Sequence, residues 1–297
     1  MRAYMMFALL AQQCLGGLAF PIAKYGLMTI EPFTFAFFRF VIAAVVLLVI
    51  TRLRKSQPPI EKKDYIKLIG LGALIVPFNQ VAYLFGQQLT SASHAALLFA
   101  TVPIWIFIAA MIHLGEKFVL RRGIGVVLGL VGVLIIIGGG AVEIESRYLW
   151  GDLIVLGAVL AWAYYTILGK SLVVKYGAFR VTAYALSSGA VLYLPFGIYR
   201  ACSFDYSGVT VTAFLPVLYM ALDVSVAAYV LWYWLLKQME ASRLAVFNNF
   251  QPLIAGAAGV LFLGEQVGVS LVIGGLVVLI GVIITETANR KKRIGNL

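Results

Sequence analysis

The chain has 297 residues, of which 62% are hydrophobic and only 12% charged, with a mean hydropathy of +0.98. Soluble domains carry about 45–50% apolar and about 25% charged residues, so a soluble enzyme is excluded; a content of 13% aromatic residues excludes disorder as well. A net charge of +11 would point to nucleic acid on a soluble protein and needs another explanation on one this apolar.

A helix crossing a hydrocarbon core about 30 Å thick needs about 20 mainly apolar residues. That rule places spans at 4–28, 33–51, 66–88, 94–113, 123–140, 150–169, 181–200, 212–235, 243–263 and 269–286. The first could be mistaken for a signal peptide, but it is longer than such a segment, carries Lys24 and lacks a small-residue cleavage pattern. On its helical face Gln13, Gly17, Phe20 and Lys24 share one stripe. The second span holds Arg39, roughly 9 Å from its outer end at helical rise. The connection from Arg52 to Lys67 is the longest polar one and is too short for a catalytic or nucleic-acid module. In the third span Asn79, Tyr83 and Gln87 line up, and in the fourth His94, Leu98, Thr101 and Trp105. Span six aligns Trp162 with Tyr165, span eight carries Asp223, and span nine holds Asn248, Asn249 and Gln251 just before Pro252.

Other side chains have plainer roles. Tyr148 and Trp150, and likewise Trp232, Tyr233 and Trp234, read as interfacial belt residues. Pro21, Pro77, Pro103 and Pro252 are expected to kink their spans. Spans five and ten, with Gly125, Gly129, Gly132, Gly274, Gly275 and Gly281, read as close-packing faces, within the monomer or in a homodimer. Glu116 and Glu265 precede those two helices, where a carboxylate favours the positive end of the dipole. Cys14 and Cys202 lie in apolar stretches and read as small hydrophobes.

The basicity is explained by its distribution. With the N-terminus inside, nineteen of the 23 Lys and Arg residues fall on that side, Arg147 and Arg200 on the other, and Lys24 and Arg39 within spans. The positive-inside rule then predicts both termini in the cytoplasm of a multi-pass cytoplasmic-membrane protein, with the bilayer and not nucleic acid as partner.

An internal repeat emerges at an offset of 149 residues. In that register Ala92-Ser93 falls on Ala241-Ser242, Pro103 on Pro252, Gly115-Glu116 on Gly264-Glu265, Gly125 on Gly274 and Gly132 on Gly281. The expected fold is therefore an all-α polytopic membrane protein of ten transmembrane helices in two five-helix repeats, residues 1–145 and 146–297. Five is odd, so the second copy enters from the opposite face, and exchanging the conformations of the halves would give alternating access around a midplane site.

Three sets of residues also carry a resemblance: Phe33-Thr34-Phe35-Ala36-Phe37-Phe38-Arg39-Phe40, the run from Ala228-Tyr229 through Trp232 to Ala241-Ser242, and the paired Pro and Gly-Glu signatures. The chain resembles, over essentially its whole length, the EamA family of the drug/metabolite transporter superfamily. Leu15-Gly16 stands where that family often has Trp-Gly. The resemblance implies that helices 1 to 4 of each half surround a central cavity, that the fifth helices are peripheral, and that export is the direction.

Lys24, Arg39 and Asp223 cost at least about 2.5–3.5 kcal/mol each to place in a span, so they should face a cavity or a partner. Lys24 fits either a vestibule or a headgroup-directed side chain. Arg39 fits a structural ion pair, with Asp223 as the partner, or a substrate clamp, and Asp223 alone fits a proton-coupling group. Amides such as Asn79, Asn248 and Gln251 fit interhelical bonding or solute contact, and Tyr83, Trp105, Trp162 and Tyr165 fit packing or stacking. An intramembrane enzyme finds no constellation, because His94 and His113 stand roughly 28 Å apart on one helix. No metal or cofactor is expected. With no nucleotide-binding motif, uphill transport would draw on an ion or exchange gradient. The reading is a secondary transporter of a small organic metabolite, such as an amino acid or related amphipathic carboxylate, with a passive pore as the alternative.

Overall fold

The computed structural model of the protein describes residues 3–54, 59–90, 95, 98–137, 149–263 and 269–287. Its helices are α1 (Ala3–Leu27), α2 (Pro32–Leu53), α3 (Lys62–Leu89), α4 (Val102–Leu114), α5 (Leu120–Ile137), α6 (Leu149–Tyr176), α7 (Ala178–Ser203) and α8 (Val211–Gln238). Helix α9 runs from Ala241–Ala245 through a 3-10 turn, Val246–Asn249, into Phe250–Leu263, and α10 is Val269–Thr287. Among the described residues there is no strand. Six of these helices, α1, α2, α3, α6, α7 and α8, are long and apolar enough to cross a membrane, against the ten crossings read from the sequence; the others are shorter or interrupted. Arg2, Lys55, Ala92, Ser93, His94, Glu143, Glu145, Arg147, Tyr148, Gly264, Glu265 and the basic run 290–293 lie outside the described residues.

Local chemistry sets where the helices begin and how they wind. Glu31 caps α2, accepting from the Thr34 backbone N at 2.9 Å and its Oγ1 at 3.0 Å, with Pro32 in the first position. Helix α6 runs past the expected end at 169 to Tyr176, because the backbone ladder continues through Lys170 and Lys175 where the apolar run stops. Pro103 was expected to kink a span and instead stands in the first turn of α4, where its missing N–H leaves no bond unmade. Pro77 cannot donate to the Ala73 carbonyl, and there α3 widens into a π-helical stretch, Val76–Val81. A second π-helical stretch, Met220–Ala228, lies in α8, where the Ser225 hydroxyl donates to the Met220 carbonyl at 2.9 Å.

The helices pack in pairs: α5 on α10, α2 on α7, α3 on α6 and α7, α8 on α1 and α2, α4 on α6 and α1 on α9. The α5–α10 crossing is set by glycine. A Cβ on Gly125 would meet the Gly281 carbonyl oxygen at 2.6 Å, and one on Gly132 the Gly274 carbonyl oxygen at 2.7 Å. Lipid-directed side chains cover the outer faces of this pair, as at Val127 and Ile283. Trp232 and Tyr233, expected at the headgroup belt, are completely buried. The Trp232 Nε1 donates to Thr166 Oγ1 at 3.1 Å and the Tyr233 hydroxyl to the Tyr165 carbonyl at 2.9 Å, so α8 turns these two rings inward onto α6. Trp150, by contrast, is exposed.

Two ionic clusters fasten the face that carries most of the basic residues. In one, the nearly buried Asp64 carboxylate of α3 meets Lys175 at 2.7 Å, Lys67 at 3.0 Å and the Tyr176 hydroxyl at 2.8 Å. In the other, Glu116 serves a helix that the sequence did not suggest. It accepts from the backbone N–H of Ala241 at 2.7 Å and of Ser242 at 3.3 Å, and so caps α9 rather than α5. At the opposite end of the bundle Arg200 of α7 pairs with Glu31 at 2.7 Å.

Candidate functional site

The buried polar centre is built around Arg39, two turns into α2 and almost wholly enclosed. Its Nε donates to Ser225 Oγ at 2.8 Å and its Nη1 to Gln80 Oε1 at 2.9 Å. The Gln80 amide donates onward to Asn79 Oδ1 at 2.6 Å, and Asn79 Nδ2 to the Ala158 carbonyl at 2.8 Å. The guanidinium lies 4.8 Å from the Phe40 ring centroid and close enough to the Tyr229 hydroxyl to interact with it. One chain of bonds thus joins α8, α2, α3 and α6, and both π-helical stretches supply a partner to the same arginine.

Every hydrogen-bond acceptor on Arg39 in this network is neutral. Asp223, two residues before Ser225, forms no ion pair with it; that carboxylate is half-buried and, among the described residues, makes neither a hydrogen bond nor an ion pair. A guanidinium held in a low-dielectric interior without an opposing charge favours an anion brought to it.

An aromatic cluster adjoins this network. The Trp162 ring lies 5.5 Å from Tyr229, 5.7 Å from Tyr165 and 5.7 Å from Trp232, and Tyr165 stacks on Tyr233 at 4.8 Å. The Tyr165 hydroxyl is buried with no hydrogen-bond partner among the described residues. Arg39, Asn79, Trp162 and Tyr165 therefore belong to one contiguous group, linked through Tyr229.

The remaining predicted residues stand elsewhere. Tyr83 meets Phe99 edge-on at 4.7 Å, and Trp105 donates to Thr101, the residue just before its own helix, at 3.1 Å. Gln251 lies over Gly16, where a Cβ would come within 2.6 Å of its Nε2. Among the described residues Asn248 Oδ1 and Asn249 Nδ2 have no hydrogen-bond partner, and neither does Gln13 Oε1, whose Nε2 donates to Gln12 at 2.6 Å. Lys24 is exposed and has no ion pair among the described residues. A cavity of about 330 Å³ between α3 and α6 is lined by Leu74, Phe78, Ala82, Ile154, Gly157, Leu160, Ala161 and Tyr164, none of them a predicted site residue. Among the described residues no group of three or more His, Cys, Asp or Glu side chains could hold a metal ion.

Sequence reasoning missed Gln80 and Ser225. Gln80 is adjacent to Asn79, and neighbours on an α-helix point about 100° apart, so only one of them fits a 3.6-residue stripe. The π-helical widening lets both join one network. The available signal was Pro77 just ahead of two successive amides.

Comparison with known proteins fits this architecture. The model of the EamA-like transporter family matches residues 3–138 and 149–287. The uncharacterized transporter YetK of Bacillus subtilis is 30% identical over 94% of this chain and 87% of its own length. An uncharacterized transporter of Archaeoglobus fulgidus is 28% identical over 90% of this chain and 92% of its own, and YoaV of Bacillus subtilis 28% over 97% and 98%. A solved crystal structure shares the fold at a TM-score of 0.82 and 18% identity, covering 98% of this chain and 99% of that one. The chain belongs to the EamA-like transporter family: it is a multi-pass membrane protein that moves a small molecule across a bilayer.

Proposed function

We propose that this EamA-like transporter is a secondary carrier that exports a small organic carboxylate, such as an amino acid or a related amphipathic acid, from the cytoplasm by alternating access. The observation that carries the reading is Arg39, a buried cation tied to α3 and α8 through neutral acceptors only. A substrate carboxylate would supply the missing charge, and the adjoining Trp162 and Tyr229 rings would pack its apolar part. Asp223 is the proton-coupling group in this reading, being a half-buried carboxylate with no ion pair among the described residues. Lys24, Tyr83, Trp105, Asn248 and Gln251 line the route to and from this centre.

The mechanism rests on two inverted halves, residues 1–145 and 146–297, making ten crossings with both termini in the cytoplasm. Two features support it. Exchanging each helix with the one five places along carries the pairing of α3 with α7 onto α8 with α2, α3 with α6 onto α8 with α1, and α4 with α6 onto α9 with α1. The contact of Gly125 with Gly281 becomes that of Gly274 with Gly132 when the 149-residue offset is applied to both. A self-complementary contact of this kind is what a pseudo-two-fold axis requires.

Reconstituted into liposomes, the protein should give saturable counterflow of a carboxylate solute, stimulated by a pH gradient. Linear, unsaturable flux without counterflow would refute the carrier reading. Substitution of both Arg39→Ala and Asp223→Asn without effect would remove the site.

A further inference from the structure

The cluster around Glu116 joins the two halves of the chain at one face and nowhere touches the Arg39 centre. Its side chain, 7% exposed, lies in the connection between α4 and α5. Besides capping α9 it accepts from the Ser242 hydroxyl at 2.5 Å and lies 3.5 Å from Lys170 Nζ and 4.0 Å from Arg122 Nη1. Lys170 of α6 also donates to the Met239 carbonyl at 3.2 Å, and Arg122 of α5 bonds Ser242 at 3.2 Å and pairs with Glu240. The α4–α5 connection of the first half is thereby held against the α8–α9 connection and the end of α6 in the second.

We propose that Glu116 is a gating residue, the keystone of an ionic latch that closes the basic, cytoplasmic face in this conformation and must open for the carrier to face inward. The inference rests on the alternating-access reading. One carboxylate satisfies the N-terminal N–H groups of α9 and two cations together, so removing its charge releases three attachments at once. The α2–α7 contact has a different character. It is bonded at the opposite end through Glu31 and Arg200 and is the same contact when the halves are exchanged, so it stays made while the latch opens.

The test is thiol accessibility. In a background carrying Cys14→Ala and Cys202→Ala, both natural cysteines being exposed, Ala245→Cys reports on the fully buried start of α9. A second reporter, Ala43→Cys, sits in the buried middle of α2, away from the latch. N-ethylmaleimide should modify the Ala245→Cys reporter slowly in the parent, at least about tenfold faster with Glu116→Gln, and slowly again with Glu116→Asp, while the Ala43→Cys reporter stays slow throughout. Should Glu116→Gln fail to fold, Lys170→Met and Ser242→Ala each loosen part of the cluster while Glu116 keeps its bonds to the backbone N–H groups of α9, and should accelerate labelling by a smaller factor. Unchanged labelling at Ala245→Cys, rapid labelling already in the parent, or equal acceleration at Ala43→Cys would overturn the latch. Counterflow by the parent chain tests the transport reading separately.

Discussion

Replacing Arg39 with methionine separates a substrate clamp from a purely architectural role. Two charge-assisted hydrogen bonds, to Ser225 and Gln80, are lost at about 1.5–3 kcal/mol each. Ser225 keeps its bond to the Met220 carbonyl and Gln80 Nε2 its bond to Asn79; the Gln80 Oε1 loses the guanidinium, on a side chain that is only half-buried. Removing a buried charge returns about 2.5–3.5 kcal/mol of insertion cost. The net destabilisation is then at most about 3.5 kcal/mol, and a folded, monodisperse protein is expected. Transport should respond quite differently. A carboxylate about 4 Å from the guanidinium, at an effective dielectric constant near 20, gains about 4 kcal/mol, and losing it weakens binding by roughly three decades. The assay is counterflow in liposomes with a panel of carboxylate solutes and their uncharged amides, read alongside thermal unfolding of the same preparations. Arg39→Lys should recover part of the activity, since an ammonium keeps the charge but cannot reproduce the fork that reaches both α3 and α8. If Arg39→Met moves carboxylates with an unchanged KM, or if the wild-type protein prefers the amides, the anion-site argument is wrong.

Other perturbations test the coupling, the packing and one surface cluster. Asp223→Asn should abolish stimulation by a pH gradient while leaving solute counterflow intact; stimulation that survives would assign coupling elsewhere. Gly125→Leu places side-chain atoms against the Gly281 carbonyl and should sharply lower the yield of folded protein on size-exclusion chromatography, whereas Gly123→Ala, whose nearest neighbour is Phe118 at 3.7 Å, should not. Glu61, bonded to Lys175 at 2.5 Å and Lys63 at 3.0 Å, has its carboxyl held below its ordinary value of 4.5, chiefly by the hydrogen bond from Lys175. A depressed carboxyl contributes stability that is present above 4.5 and fades as pH falls through the folded value. Glu61→Gln should therefore lower the melting temperature slightly at neutral pH, leave it unchanged once the carboxyl is protonated in acid, and so flatten the profile between the two.

Several features were legible in the sequence because they depend on one segment at a time. Whether a stretch of about 20 residues partitions into hydrocarbon follows from its own side chains, so the positions of the helices and the burial of Arg39 could be anticipated. The same holds for the glycine faces of α5 and α10, whose small residues mark close approach whatever the partner.

The tertiary structure decided which groups meet. Arg39 and Asp223 were plausible partners by depth, yet the π-helical turn in α8 brings Ser225 to the guanidinium instead. Glu116 looked like a helix-dipole residue for α5, and the crossing of the connections delivers it to α9. Trp232 and Tyr233 carry the composition of an interfacial belt, and the rotation of α8 buries them on α6. In each case the deciding quantity is the relative rotation and winding of two distant helices. Composition sets what each segment costs to place in the bilayer, but the pairing of polar groups inside it is fixed only when the helices pack and each buried donor finds the acceptor within reach.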